Sequence, residues 1–407
     1  TLFDIDGSEQ DITMTLTANM DYSVNSVPEW ISKKSENSGT FTFTVNANTA
    51  SSARSGEIIF KNVNNTFLTV TVKQGIQTYT SSDYSQDGQV TKIHSATVGK
   101  GIDVVFVGDA FADKDQDLFN KYVKLGKEAF FTEEPFRSTK DRFNIYRIGS
   151  VSKNGIITQE GGDTKFSAQF GEGTAISGDN EAVFSFVQEK IPSVDLTKTI
   201  IFVIINKAKY AGTCHMYSNN QAVCYVPLCR DENDYAQTLR HEGCGHGFGK
   251  LADEYFYTSQ GTIPTKMIAQ LKQWKGFAYG FYENVDLTSD PNTILWSKFI
   301  SDSRYSGKVG VYEGGYTYPY GVYRPTDNSI MRYNTGGFNA PSREAIYKKI
   351  MKFSEGDAWT YDYETFVAFD APARSAEAVT RAAAQCAAVD KANFIPLAPP
   401  VMVMVDK

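Results

Sequence analysis

Between residues 102 and 206 the chain alternates continuous apolar runs with amphipathic stretches, and this alternation restricts the fold more than any other feature. IDVVFVGDAF (102–111), RFNIYRIGS (142–150) and TIIFVIIN (199–206) have the length and composition of strands, the first and last apolar enough to be buried on both faces. KDQDLFNKYVKLGKEAFF (114–131) and NEAVFSFVQEKI (180–191), which lie between them, carry helical apolar spacing. Strands separated in this way by helices predict a layered α/β (α+β) domain around a largely parallel sheet. NNQAVCYVPL (219–228) adds one more strand just before a motif-bearing helix, and we expect it to form the rim of a cleft.

The N-terminal stretch follows a different period. TFTFTVNAN (40–48), SGEIIFKN (55–62) and TFLTVTVKQ (66–74) alternate apolar and polar residues and are separated by Asn, Gly and Ser, which predicts an all-β sandwich over residues 1–76. The Ser-rich stretch 77–96 is expected to be a linker into an α/β domain over residues 97–365. In the tail, 366–407, SAEAVTRAAAQCAAV favours a helix and NFIPLAPPVMVMVDK reads as extended and Pro-rich, with no chemistry assigned to either.

Composition excludes some functions. A net charge of −7 argues against a general nucleic-acid binder, which needs a clustered basic face. No apolar run reaches the roughly 18 residues of a membrane span. The five cysteines, Cys214, Cys224, Cys229, Cys244 and Cys386, are too sparse for a disulfide scaffold. They read as small buried hydrophobes, with a local bridge among the first three open in an oxidising compartment. The chain begins at Thr1 rather than Met, so location has to be inferred from domain types.

The chemistry concentrates in LRHEGCGHGFGKLADEYFY (239–257). Two imidazoles and an adjacent carboxylate are what a hydrolytic zinc site requires, but His246 follows His241 by five positions, not four. On a regular α-helix residues four apart lie about 40° apart around the axis and residues five apart about 140°. A single π-bulge would absorb the added residue and bring the rings together. Gly243 and Gly245 suit such a distorted turn, since each costs about 1 kcal/mol relative to Ala in an ordinary helix. His241 and His246 are therefore the candidate metal ligands, and Glu242 is the candidate general base and later acid.

HGFGKLADEY (246–255) resembles the GHxFxxLxDEY segment of the bacterial family typified by the immunoglobulin-A-cleaving zinc peptidase, which is metzincin-like. In that pattern the first His stands four before the second, the place Glu242 holds here, so this sequence carries one inserted residue. RPTDNSIMRYN (324–334), preceded by YGVYRP, resembles the metzincin Met-turn, with Met331 beneath the metal and Tyr333 as donor to the developing oxyanion. The resemblance covers most of residues 97–365 and implies zinc as cofactor and a carboxylate third ligand after a chain reversal at Gly249. Asp253 matches that place, with Glu254 and His215 as alternatives; His94 falls in the linker. Tyr255 is a lesser oxyanion candidate and is expected to be a core aromatic.

YSVNSVPEWI, FTFTVNANTASSARSGEIIF and LTVTVKQ resemble BACON-type immunoglobulin-like modules of exported Bacteroidetes proteins. That resemblance implies export and only a weak carbohydrate or surface contact, because Trp30 is expected in the core. The whole predicts a secreted, periplasmic or cell-surface zinc endopeptidase acting on proteins or peptides. Two alternatives are an exopeptidase of the HExxxH type found in dipeptidyl peptidase III, and a non-catalytic adhesin with a degenerate metal site.

Overall fold

The computed structural model describes residues 2–48, 50, 52–77, 79–157 and 164–405. The chain divides into two compact units, Thr1–Thr80 and Ser81–Lys407.

The first unit contains strands β1 (Leu2–Ile5), β2 (Gln10–Thr15), β3 (Tyr22–Ser26), β4 (Ile31–Asn37), β5 (Thr40–Val45), β6 (Arg54–Asn62) and β7 (Phe67–Gln74). They form two sheets, ordered β1-β7-β6-β3 and β2-β5-β4. Alternation along TFTFTV turns Phe41, Phe43 and Val45 inward against Ile58, Phe60, Val70 and Val72. Trp30 packs on the edge of this core, and the Arg54 guanidinium lies 4.4 Å over its ring, on a face a sugar would need.

The second unit is built on a seven-stranded sheet. Its strands in chain order are β8 (Val90–His94), β9 (Ile102–Asp109), β10 (Phe143–Ile148), the small pair β11 (Gln169–Phe170) and β12 (Ile176–Ser177), then β13 (Ile200–Ile205), β14 (Thr213–Tyr217) and β15 (Ala222–Pro227). The hairpin β16 (Tyr312–Gly315) and β17 (Tyr318–Arg324) follows, and β18 (Val401–Val403) comes last. The seven-stranded sheet runs β18-β14-β15-β13-β9-β10-β8. Strands β10, β9, β13 and β15 are mutually parallel, β8 is antiparallel to β10, β14 is antiparallel to β15, and β18 lies parallel to β14.

Period-two alternation supplies two buried faces. Val104, Phe106, Phe202, Ile204, Cys224 and Val226 face α1 (Gln116–Phe130) and the motif helix. Val105, Val107, Ile201, Val203 and Tyr225 face α2 (Asn180–Lys190). The remaining helices are α3 (Glu232–Leu239), α4 (Thr265–Lys275), α5 (Ser297–Ser301), α6 (Ile330–Tyr333), α7 (Ala340–Glu355), α8 (Tyr363–Phe369) and α9 (Ala376–Ala387). No helix among the described residues is long and apolar enough to cross a membrane.

Two expectations change. The stretch read as a linker contributes β8, because VTKIH pairs with β10 from Val90 to His94. The strand within NNQAVCYVPL is not the cleft rim: β15 lies inside the sheet between β13 and β14, where both of its backbone edges are paired. The Pro-rich tail is extended as expected, and Val401–Val403 adds to the outer edge of β14. The cysteines are unbridged, although Cys214 and Cys224 face each other across β14 and β15 with sulfurs 3.0 Å apart.

Candidate metal centre

Helix α3 opens on Asp231, whose side chain accepts from the Asp234 amide, and runs without a break into Arg240–Phe248. The second segment is wound as a π-helix over nine residues, and its end is marked by the Gly249 amide donating to the Cys244 carbonyl, five residues back. The distortion is thus longer than a single bulge. Its consequence is the expected one: an i to i+5 turn holds one residue more than an α turn, so positions 241 and 246 stack on one face. The His241 and His246 ring centroids are 4.8 Å apart.

Close packing explains the glycines. A Cβ on Gly243 would lie 2.0 Å from the Phe202 ring, one on Gly245 2.3 Å from the Met331 sulfur, and one on Gly247 2.2 Å from Ile200 Cδ1. The π-helix is pressed onto β13 on one side and the Met331 turn on another, at a distance only hydrogen side chains permit. After it the chain reverses at Lys250, which takes a left-handed φ of +54°, one residue past the expected Gly249.

That reversal carries Asp253 back to the imidazoles. His241 Nε2 to His246 Nε2 is 3.1 Å, His241 Nε2 to Asp253 Oδ1 3.1 Å, and His246 Nε2 to Asp253 Oδ1 3.2 Å. Each ring is oriented by a carbonyl: His241 Nδ1 donates to Ile330 O at 3.0 Å and His246 Nδ1 to Leu251 O at 2.7 Å. A carbonyl can only accept, so both Nδ1 atoms carry the proton and both Nε2 atoms present lone pairs. Two lone pairs and a carboxylate oxygen therefore converge where His241 and His246 are 0% exposed and Asp253 2%. Such a convergence is repulsive without a cation at its centre.

The set also has the right size. Donors bound to zinc at about 2.0–2.1 Å in a tetrahedron stand about 3.3–3.4 Å apart, close to the triangle seen here.

Glu254 points away from the cluster. Ser329 donates to it at 2.6 Å, Asn339 at 2.8 Å and Asn284 at 2.9 Å, so its carboxylate ties the reversal to the Met331 turn and to the start of α7. His215 is also elsewhere, with Nδ1 on Asn180 and Nε2 on the Ile176 carbonyl. His94 lies on β8, where it meets the Lys140 carbonyl.

Glu242 is fully buried beside the triad, and neither of its oxygens completes a hydrogen bond among the described residues. Burial pushes its pKa well above the usual carboxylate range. Gly212 leaves the space in front of it: a Cβ there would come 3.1 Å from Oε1. Sequence reading missed Gly212, for a lone glycine before a strand carries no signal of its own. Tyr333 packs its ring edge-on against Phe394, 5.2 Å between centroids, and Tyr255 is buried with its hydroxyl on the Leu397 carbonyl at 2.7 Å.

If the triad is a metal site, His241→Ala is expected to drop bound zinc from one per chain to below about 0.1, measured by elemental analysis after dialysis. Glu254→Gln should keep the metal with little loss of stability, because its Oε1 can still accept from Asn284 and Asn339 while its amide donates to the Ser329 hydroxyl.

A parallel-sheet α/β unit with two imidazoles, one carboxylate and an unpaired buried glutamate defines a hydrolase-like architecture whose donor set suits a divalent metal. The sequence matches the family described as IgA Peptidase M64 over residues 91–273 and 292–350, and the chain belongs to that family. Residues 7–75 match BACON, described as an N-terminal binding domain. No curated protein matches the chain. Among solved structures it is similar over 19% of its length to a protein from Bacteroides thetaiotaomicron solved by NMR (14% identity, 76% of that chain, TM-score 0.17). It is similar over 50% of its length to a Bacteroides ovatus GH5 xyloglucanase in complex with a XXXG heptasaccharide (14% identity, 44% of that chain, TM-score 0.18).

Proposed function

We propose that this peptidase is a zinc-dependent endopeptidase with a metzincin-like site, exported and acting on extracellular or periplasmic proteins. The observation that carries the reading is the convergence of two Nε2 lone pairs and Asp253 Oδ1 in a buried space beside an unpaired glutamate. Zinc held by His241, His246 and Asp253 would supply Lewis acidity, polarising the scissile carbonyl and lowering the pKa of water toward about 7.

The chain's own residues do the rest. The Ile330 and Leu251 carbonyls fix the imidazole tautomers. Glu242 takes the proton of the attacking water and returns it to the leaving amine, a role its raised pKa suits. Tyr333 is the proposed donor to the developing oxyanion, worth about 10² in rate for one hydrogen bond. The Met331 sulfur beneath Gly245, between the two His positions, supports the metzincin-like reading. The BACON match supports export and a weak surface or carbohydrate contact through the N-terminal unit.

The pairing of an extended segment, Val401–Val403, along β14 supports internal cleavage, since a strand edge binds an extended backbone rather than a chain end. N-terminally acetylated peptides are expected to be cleaved within a factor of about three of their free counterparts, read by mass spectrometry; strict dependence on a free amine would establish the exopeptidase instead. Stoichiometric metal in the purified protein separates either enzyme from a non-catalytic adhesin.

A further inference from the structure

Residues 393–403 lie outside the family match, and their last three residues take the outer edge of β14 beside the site. The path is continuous. Phe394 packs on Tyr333, the Ile395 carbonyl accepts from Tyr210 at 3.1 Å, the Pro396 carbonyl from Thr174 at 3.2 Å, and the Leu397 carbonyl from Tyr255 at 2.7 Å. Val401–Val403 then pairs with His215–Tyr217, and the Ser218 amide donates to the Val403 carbonyl at 3.0 Å. These contacts pass from the residue two after Met331, past the residue two after Asp253, to the edge strand that packs on the π-helix.

The recognition is of backbone. Three hydroxyls from separate segments meet three successive carbonyls, and one side chain, Leu397, is completely buried. Pro396, Pro399 and Pro400 hold the segment extended and leave few amides that need partners. Those are the features by which a groove takes an extended peptide. A strand edge accepts one added strand at a time, and a tethered occupant acts at an effective concentration of about millimolar, well above most free substrates.

We propose that residues 393–403 occupy the substrate groove as a tethered occupant, so that the chain folds in a latent state and the groove takes extended, proline-containing peptides with one buried apolar side chain. The proposal rests on the peptidase reading for its consequence and on the contacts above for its geometry. Release of the tail would free Tyr333 from Phe394, Tyr255 from Leu397 and the outer edge of β14 together.

Leu397→Asp in the full chain tests it, because an aspartate cannot stay in that dry position. A chain ending at Ala388 is the second variant should the first not fold. With zinc supplied, either variant is expected to cleave an acetylated proline-rich peptide at least 10-fold faster than the unaltered chain. A fluorescein-labelled synthetic peptide of residues 393–403 is expected to bind the variant saturably and the unaltered chain not at all, measured by anisotropy independently of turnover. Measurable and equal cleavage by variant and unaltered chain, or peptide binding to both or to neither, overturns the proposal. Discriminating binding with no cleavage by any chain sinks the peptidase reading and leaves the occupied groove standing.

Discussion

Glu242→Gln is expected to lower kcat by about 10²–10⁴-fold while one zinc per chain is retained. Glutamine keeps the shape and loses the ability to carry the proton. Glu242 makes no hydrogen bond to the triad, so the ligands stay in place. Zinc content with a single-turnover assay checks both halves, and full activity with metal bound would remove Glu242 from the mechanism.

The same substitution has a pH signature in the metal-free chain. Burial raises the Glu242 pKa in the folded state, so between the ordinary carboxylate value and that raised value the folded chain holds a proton the unfolded chain has lost. The stabilisation is full below the ordinary value and is lost as pH rises toward the folded one. Glutamine has no such loss, so the Tm of Glu242→Gln should gain on the unaltered chain between pH 4 and pH 8. A constant difference across that range would contradict the burial of an unpaired carboxylate.

Gly243→Ala is expected to destabilise the fold and to empty the site. Two effects oppose each other. Alanine gains about 1 kcal/mol over glycine in helix propensity. Its Cβ would stand 2.0 Å from the Phe202 ring, which stacks on Phe106 at 4.9 Å and meets Phe130 edge-on at 6.3 Å, so the ring has nowhere to go. Overpacking typically costs about 1–3 kcal/mol, and a contact this deep lies at the upper end. The net loss is about 1–2 kcal/mol, and the backbone shift that relieves the clash separates positions 241 and 246. Thermal melts and zinc content read the two consequences; a variant with raised Tm and full zinc would show that the close approach to β13 is unimportant.

The sheet strands were legible because their signal is local. TIIFVIIN and IDVVFVGD are buried on nearly every residue, and no other structure suits such runs at that length. The two imidazoles and Glu242 were legible for the same reason: five residues and the geometry of one turn define the problem. Asp253 rested on resemblance alone. Nothing in LADEY tells which carboxylate turns inward, for that depends on Ser329, Asn284 and Asn339, each at least 30 residues downstream, claiming Glu254.

The rim strand was misplaced for a related reason. CHMY and VCYVP look alike in composition, and only the pairing partner tells an edge from an interior strand. The tail carried no readable chemistry because it is held through its carbonyls, which every residue possesses.

The strand at Val401–Val403 has a further consequence, for solubility. Without it Thr213–Tyr217 would become the outermost strand of a strongly apolar sheet, with a row of unpaired amides and carbonyls open to a second molecule. A chain that exposes this edge to capture a substrate also exposes it to its own copies, so activation and self-association would draw on the same few backbone groups. The working lifetime of an opened molecule would then fall as its concentration rises.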